Sequence, residues 1–333
     1  MQAIEFSAPG TVRLVDRNDP DLPQGHVRLK VGAAGLCHTD LEILRGGYGE
    51  GGFPLVPGHE YAGTVVEIAP DVTDVAVGAR VVVDPNLPCG TCRACRRGLG
   101  NLCPTLGAYG VTTDGGFATH SVVRADHVLP VGDMPLHRAA LAEPLGCVLN
   151  GLRAAGAGAP ECPVVFGAGP IGLMLALALR ETGSGAVTVV DRDRGRLDLA
   201  ERLGLAPLEA DAARAPALAQ SFDFAGDATG ATSVVQGLPG FLANGGVALV
   251  MGVCPREDEI AVRPYEFFRR QLRLAGSHSL AARDVAAARD MLARAGAAFD
   301  PLVSHRLPLD ALVPFLDGGA AGPTMKVQFE ADA

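Results

Sequence analysis

The feature that most constrains the fold is a glycine-rich segment between alternating strand and helix patterns. Gly167-Ala168-Gly169-Pro170-Ile171-Gly172 follows a compact apolar run at 163–166 and opens an apolar helical pattern at 170–181. Asp191 closes the next predicted strand, 19 residues after Gly172. A glycine pattern alone is weak evidence, but strand, glycines, helix, strand and acid together indicate a dinucleotide-binding unit.

The glycines and the proline have specific physical roles in such a unit. Gly167 permits a tight turn, Gly169 lets the backbone approach a pyrophosphate, and Gly172 lets the helix pack close to the strand. A proline suits the first helical position, where the N–H has no partner inside the helix. Because free N–H groups at the helix start face phosphates, we predict that the cofactor is bound by Gly167, Gly169, Pro170, Ile171 and Gly172.

The acid at the second strand end bears on the choice of cofactor. Asp191 would accept hydrogen bonds from the adenosine ribose hydroxyls and would repel a 2′-phosphate, which favours NAD over NADP. Arg192, Arg194 and Arg196 follow directly, and any of them is placed to reach a 2′-phosphate. We therefore predict NAD, include Arg196 among the cofactor-binding residues, and keep NADP as an alternative.

The 333 residues are enough for about two domains. The first part of the chain reads as short β segments separated by Gly and Pro turns, whereas strands and helices alternate after about residue 148. We predict an α/β fold with a β-rich domain and a Rossmann domain built on a doubly wound parallel sheet. The predicted boundaries are 1–147 for the β-rich domain, 148–280 for the Rossmann domain, and 281–333 for a C-terminal segment.

Four of the eight cysteines fall within fifteen residues, at Cys89, Cys92, Cys95 and Cys103. The N-terminus shows no export signal, and clustered cysteines in a reducing compartment favour a metal over disulfides. Four thiolates fill the tetrahedral shell of zinc, so we predict a structural zinc ion in a lobe at about 85–107. Free thiols or an iron–sulfur cluster are the alternatives.

A second set of metal-ligand residues is spread over three segments. Cys37 precedes His59 by about twenty residues, and Glu143 lies far downstream. A Cys, a His and a carboxylate make an open three-ligand site with a fourth position for water or substrate, as catalytic zinc needs. Taken singly, the same residues also suit a core cysteine, a loop histidine and an acid at a helix start.

Taken together, these segments resemble the zinc-dependent medium-chain dehydrogenase/reductase superfamily of alcohol dehydrogenases, and within it the sorbitol-type polyol dehydrogenases. The resemblance covers essentially the whole chain in order. It rests on the four-cysteine lobe, the glycine segment, and the motifs Gly35-Leu36-Cys37-His38-Thr39-Asp40, Pro57-Gly58-His59-Glu60-Tyr61-Ala62-Gly63, Gly115-Gly116-Phe117-Ala118 and Ala142-Glu143-Pro144-Leu145.

The resemblance implies a fold and a place for the reaction. It implies that a GroES-like catalytic domain is rejoined by the C-terminal segment after the Rossmann domain, with the active site in the cleft between the domains. Cys37, His59 and Glu143 match the ligands of the catalytic zinc, and Glu143 stands where simple alcohol dehydrogenases have a cysteine. Glu60 matches an acid beside the zinc that coordinates it directly or after movement.

The resemblance also implies roles around the metal. Asp40 matches the acid that orients the ligand histidine, Thr39 matches the hydroxyl that takes the substrate proton, and His38 matches a position near the cofactor pyrophosphate. Many relatives have a histidine at the end of the proton relay where this chain has Glu42, and we predict that this carboxylate does the same work. Cys147, one helical turn after Glu143, is an alternative third ligand.

The expected reaction is zinc-assisted hydride transfer between a secondary alcohol, such as a polyol or sugar alcohol, and NAD. Cyclitol or amino-sugar substrates are the alternative, and a non-catalytic nucleotide-binding role is a remote one. The net charge of −9 and the lack of a basic block argue against nucleic acid as a partner. Without a long apolar run or leader, we expect no membrane association, a cytoplasmic location, and a homodimer or homotetramer.

Overall fold

The computed structural model describes residues 1–47, 52–318 and 324–331. The chain divides into two compact units, one formed by Met1–Pro144 with Leu280–Ala333 and the other by Leu145–Ser279. The first unit is therefore built from both ends of the chain. Within the described ranges, the helices are too short or too polar to cross a bilayer.

Both units contain β-strands. In chain order, the described strands are β1 (Gln2–Ala8), β2 (Thr11–Asp16), β3 (His26–Gly35), β4 (Glu60–Ile68), β5 (Arg80–Val83), β6 (Asn86–Leu87), β7 (Gly107–Ala108), β8 (His120–Arg124), β9 (Val128–Pro130), β10 (Pro163–Phe166), β11 (Thr188–Asp191), β12 (Ala206–Glu209), β13 (Phe222–Asp227), β14 (Leu242–Val250), β15 (Arg273–Gly276), β16 (Val303–Leu307) and β17 (Lys326–Glu330).

The helices concentrate after residue 135. In chain order, the described α-helices are α1 (His38–Leu44), α2 (Arg93–Arg96), α3 (Leu136–Ala139), α4 (Ala142–Ala155), α5 (Pro170–Glu181), α6 (Arg194–Arg202), α7 (Thr232–Phe241), α8 (Pro264–Arg270), α9 (Ala282–Ala295) and α10 (Val313–Leu316).

The unit at Leu145–Ser279 contains a parallel sheet in the order β12-β11-β10-β13-β14-β15. The order reverses at β10, so β11 and β13 flank the strand that leads into the glycine segment, and such a switch point is where dinucleotides bind. Every residue of β10 is buried, which explains its continuous apolar run. This is the doubly wound sheet that the sequence predicts, although β12, α7 and α8 carry too weak a pattern to be predicted.

The other unit is organised by a mixed sheet in the order β16-β17-β3-β4-β5-β9, with β8 also paired to β3. Strands β3 and β4 are antiparallel, with Gly35 opposite Glu60. Strand β17 is antiparallel to β3 on its other edge, with Gln328 opposite Gly35. The end of β3, the start of β4 and the start of β17 therefore lie side by side.

Candidate metal and cofactor sites

The sheet register brings together two of the predicted metal ligands. Cys37 follows the end of β3 and His59 immediately precedes the paired start of β4, so residues distant in sequence meet at one sheet edge. Ligand atoms of Cys37, His59 and Glu60 all lie within 4.8 Å of one another. The structure thus groups Glu60 with the cysteine and the histidine.

Asp40 lies behind this group and is completely buried. Its Oδ2 accepts a hydrogen bond from the Cys37 N–H at 2.8 Å, and its Oδ1 accepts one from the Gly58 N–H at 3.2 Å. Asp40 Oδ1 also lies 3.5 Å from His59 Nδ1. Asp40 is therefore placed to orient the His59 ring, as the resemblance implies.

The buried donor atoms suit a metal ion. Burial lowers the pKa of His59, but the charges of Asp40 and Cys37 outweigh it and raise that pKa well above its ordinary value. Within the described residues, His59 Nδ1 is buried without a hydrogen-bond partner, and the ammonium of Lys326 contacts Glu60 Oε2. A half-buried thiol, a buried imidazole and a buried carboxylate within 4.8 Å of one another form a donor set that zinc accepts.

Glu143 lies in the first turn of α4 and is buried. Its carboxylate is outside the close group of Cys37, His59 and Glu60 among the described residues. It is nevertheless close enough to Lys326 to help raise the pKa of that lysine. Cys147 follows one turn later on the same helix and is half-buried.

The three predicted proton-transfer and phosphate residues lie on α1. Thr39 is half-buried in the first turn, whereas the His38 side chain is mostly exposed. Glu42 Oε1 lies 2.6 Å from Arg45 Nη1 and 3.4 Å from His38 Nε2. The carboxylate predicted to end the relay is therefore flanked by two basic side chains at the surface.

The sulfur atoms of Cys89, Cys92, Cys95 and Cys103 form a second close group, also within 4.8 Å of one another. The backbone N–H groups of Thr91 and Cys92 lower the pKa of Cys89 to about 6. Burial and the neighbouring Cys92 sulfur raise the pKa of Cys95 to about 12. Four thiolates at this spacing need a cation to offset their charge, which fits a closed zinc site.

The glycine segment adopts the conformation that its sequence requires. Gly167 has a φ of +102°, and Gly169 is the residue that caps α5, whose first position is Pro170. A Cβ on Gly172 would lie 1.7 Å from the Gly167 carbonyl oxygen, so a side chain cannot fit there. Ile171 follows Pro170 in the first turn of α5 and is half-buried.

Asp191 ends β11 next to this turn. Its Oδ2 accepts a hydrogen bond from the Ala168 N–H at 2.6 Å, and its Oδ1 accepts bonds from the N–H groups of Arg192 and Asp193 at 2.7 and 2.9 Å. The negative charge is thus fixed beside the glycine segment. An acid in this position favours a ribose over a 2′-phosphate.

The neighbouring arginines differ in what surrounds them. Arg194 binds Asp198 at 3.0 Å and Glu209 at 3.2 Å. Arg196 instead places Nη1 3.9 Å from where Gly169 would carry a Cβ. The Arg196 guanidinium therefore lies over the turn predicted to hold the pyrophosphate.

Lys326 is a site residue that sequence reasoning missed. It begins β17, it is buried, and its ammonium contacts the Glu60 carboxylate. The sequence singles out Lys326 in one respect: only two of the 28 Lys and Arg residues are lysines, Lys30 and Lys326. Nothing in the sequence pattern connected a C-terminal lysine to a glutamate 266 residues away.

Comparison with known proteins assigns the family. Residues 23–133 match the alcohol dehydrogenase GroES-like domain, and residues 138–321 match the glucose dehydrogenase C-terminus. The chain is 51% identical to D-altritol 5-dehydrogenase of Agrobacterium fabrum over 100% of both chains. It is 33% identical to D-arabinitol dehydrogenase 1 of Uromyces fabae, covering 83% of this chain and 82% of that one.

A solved structure superposes on nearly the whole length of this chain. A zinc-binding dehydrogenase from Sinorhizobium meliloti, bound to NADP, superposes with a TM-score of 0.92 at 29% identity, covering 99% of this chain and 98% of that one. The sequence matches and this superposition both extend over the two units. The chain therefore belongs to the zinc-binding, medium-chain family of alcohol dehydrogenases and is an oxidoreductase of that family.

Proposed function

We propose that this chain is a zinc-dependent dehydrogenase that transfers a hydride between a secondary hydroxyl of a sugar alcohol and NAD. The observation that carries the proposal is the convergence of Cys37, His59 and Glu60 at two paired strand ends. The substrate class is supported by the identity of 51% to an enzyme named for D-altritol and by the relative named for D-arabinitol.

The chain offers Cys37 and His59 as two ligands of the catalytic zinc, and we propose Glu143 as the third. Glu60 is nearer, but its carboxylate is already engaged by the ammonium of Lys326. Glu143 is buried and carries the other carboxylate whose charge acts on Lys326. When bound, zinc supplies Lewis acidity that lowers the pKa of a substrate hydroxyl.

Thr39 is the proposed first proton acceptor, because its hydroxyl follows the ligand Cys37 by two residues in the first turn of α1. A hydroxyl passes a proton on without becoming an anion. Glu42, one turn further along the helix and partly exposed, is the proposed outer group that hands the proton to water. His38 is exposed beside it and is the proposed contact to the cofactor pyrophosphate.

The four-cysteine group is the proposed site of a second, structural zinc ion. Its four sulfurs complete a tetrahedral shell, so no position remains for a substrate. The regular structure of the lobe consists of short pieces: α2, which begins directly after Cys92, one 3-10 turn at Gly100–Leu102, and the two-residue strands β6 and β7. Metal binding would therefore supply much of the energy that folds this lobe.

NAD is the proposed cofactor, bound by the glycine segment and supplying the hydride acceptor when present. The support is the fixed charge of Asp191 beside Ala168 and the pairing of Arg194 with two acids, which withdraws that arginine from a 2′-phosphate. Arg196 lies over the glycine turn and is proposed to contact the pyrophosphate. The NADP bound by the Sinorhizobium meliloti protein is a property of that protein.

The proposed assembly is a homodimer or homotetramer. In the Rossmann unit, β15 is an edge strand of the sheet, and the preceding segment exposes Tyr265 and Phe268 by 68% and 82%. An edge with apolar neighbours is a surface that a second copy can cover. Light scattering of the purified protein measures the assembly, and a cytoplasmic location stays a prediction from the sequence.

A substrate screen tests the proposed function. Hexitols, pentitols, cyclitols and amino sugars are each offered with NAD and with NADP, and reduced cofactor is followed by absorbance. We expect turnover of acyclic polyols with NAD, lost on removal of metal and restored by zinc. Turnover of cyclitols or amino sugars alone would correct the substrate class, whereas tight NADH binding without turnover of any alcohol would contradict the enzymatic assignment.

A further inference from the structure

Lys326 is an unusual residue in this chain. It is one of two lysines among 28 basic residues, and only 5% of its surface is exposed. The other lysine, Lys30, is exposed on β3. A buried ammonium costs free energy unless the surrounding groups offset its charge.

The backbone register explains how Lys326 reaches the metal-ligand group. Strand β17 runs antiparallel to β3, and the Leu36 N–H donates to the Val327 carbonyl at 2.8 Å. Lys326 Nζ in turn donates to the Leu36 carbonyl at 3.1 Å. The ammonium is therefore anchored to the residue immediately before Cys37.

The same ammonium contacts both oxygens of the Glu60 carboxylate. Burial lowers the pKa of Lys326, but the charges of Glu60, Cys37 and Glu143 outweigh it and raise the pKa above its ordinary value. Among the described residues, Lys326 Nζ therefore has two partners in this buried position, the Glu60 carboxylate and the Leu36 carbonyl.

Glu60 is close enough to compete for the ion that Cys37 and His59 would hold. Zinc lies about 2.0–2.3 Å from nitrogen, oxygen and sulfur ligands, so two ligands of one ion are separated by roughly 3–4 Å. The atoms of Cys37, His59 and Glu60 lie within 4.8 Å of one another. A small shift of the Glu60 carboxylate would add it to the ligand set and close the position needed by a substrate.

We propose that Lys326 is a positioning residue that holds Glu60 in an ion pair and thereby keeps it out of the metal's ligand set, leaving the open position for the sugar-alcohol hydroxyl. The proposal rests on the catalytic metal site proposed above. Strand β17, which carries Lys326, would thus help to set the coordination number of the metal ion held at the end of β3.

The test is a double-mutant cycle of Lys326→Met, Glu60→Gln and the double variant, with Lys326→Arg as the conservative variant. The exposed Lys30→Met is the matched control. Each protein is loaded with cobalt, whose visible spectrum reports coordination number, and each zinc form is challenged with a chelator. Turnover with the best polyol is measured in parallel.

We expect Lys326→Met to shift the cobalt spectrum towards higher coordination, to slow metal release, and to lower kcat by about 10–100-fold, the usual range for partners of metal ligands. Glu60→Gln in the same chain should restore a four-coordinate spectrum and the wild-type release rate, because the competing carboxylate is gone. Lys326→Arg and Lys30→Met should keep the wild-type spectrum.

Additive effects in the cycle, or an unchanged cobalt spectrum in Lys326→Met, would overturn the positioning role while leaving the dehydrogenase assignment intact. If Lys326→Met does not fold, the double variant decides: a cobalt spectrum that differs from the wild type in this variant, which lacks the competing carboxylate, would equally overturn the positioning role. A wild-type protein that takes up no metal at Cys37 would instead remove both proposals, and metal analysis of that protein separates the two cases.

Discussion

Gly35 lies directly opposite Glu60 across strands β3 and β4, and a Cβ at Gly35 would come within 2.2 Å of Glu60 Oε2. The same Cβ would lie 3.2 Å from both Cβ and Cδ of Glu60. The glutamate therefore folds over the bare backbone of its cross-strand neighbour. The missing side chain at Gly35 is what allows the carboxylate to reach both Lys326 and the metal-ligand group.

Gly35→Ala should consequently disturb the metal site without altering any ligand. We expect kcat to fall about tenfold or more and the protein to lose about 1–3 kcal/mol of stability, because a methyl group is forced into a packed position. Metal release and thermal unfolding measure the two effects. Gly237→Ala is the control, since that glycine lies in α7 with nothing within 4 Å of the added Cβ, and full activity in Gly35→Ala would contradict this view of Glu60.

The two metal-ligand groups should hold two zinc ions with separate roles. Cys37→Ser should remove one zinc per chain and lower kcat by more than about 100-fold, because Cys37 is a proposed ligand of the catalytic zinc. The protein itself should stay folded. Cys95→Ser should also remove one zinc but act on stability, lowering the unfolding midpoint by roughly 5–10 °C. Elemental analysis combined with calorimetry checks both, and a wild-type protein with one zinc per chain, or a zinc content that Cys37→Ser leaves unchanged, would refute the assignment.

Much of this architecture follows from local sequence. The run at β10, the glycines and Asp191 predict the doubly wound sheet, which the structure and the family comparison confirm. Family membership is predicted from a resemblance carried by several short motifs along the chain, and the family comparison confirms it. These features are readable because each is fixed by residues within about thirty positions of one another.

The rest depends on pairings that no local pattern encodes. Lys326 meets Glu60 only because β17 adds to the edge of β3, and a long-range register of this kind is set by packing of the whole sheet. For the same reason, sequence reasoning favoured Glu143 beside Cys37 and His59, whereas the structure places Glu60 in the close group. The Glu60→Gln and Lys326→Met variants above test the role of Glu60, and the role of Glu143 stays a prediction.

Cofactor preference should depend on the charge of Asp191. Asp191→Asn keeps an acceptor for the Ala168 N–H but removes the negative charge, so kcat/KM with NAD should fall about 10-fold while that with NADP rises or stays level. The ratio of the two is the measurement. Asp193→Asn is a matched control, because asparagine preserves the cap on the Arg196 N–H, and a wild-type enzyme that already prefers NADP tenfold would contradict the NAD assignment.

Stability should fall between about pH 4 and pH 6 as the pH rises, owing to Asp84. Burial, reinforced by the nearby Asp284, raises the pKa of Asp84 to about 6, although the Asn86 N–H opposes this shift. In that range the folded state binds a proton that the unfolded chain, with a pKa of about 3.9, has released. Asp84→Asn should therefore match the wild type near pH 4 and be more stable by about 1–2 kcal/mol at pH 7.

Unfolding midpoints across this pH range check the effect of Asp84. Asp126→Asn is the control: burial tends to raise the pKa of Asp126, but its hydrogen bonds to Arg124 are the largest influence and lower it, so its removal should not stabilise the protein. A variant Asp84→Asn that is destabilised at pH 7 would mean that the charged form of Asp84 is favoured in the fold.

The last prediction concerns the proton path, to which Thr39 and Glu42 are assigned. Thr39→Val preserves the shape of the side chain but removes the hydroxyl, so kcat should fall about 10²–10⁴-fold with zinc content and NAD binding retained. Glu42→Gln should cost less, because this carboxylate is partly exposed and water can take over its part. Added buffer should partly restore the rate of Glu42→Gln but not that of Thr39→Val.

Arg45 pairs with Glu42 and supplies the control. Arg45→Gln leaves the carboxylate in place, so this variant should keep the wild-type kcat, and added buffer should not change it. Full activity in Thr39→Val would show that the proton leaves by another route, and Glu60 is the nearest remaining acid in the metal-ligand group.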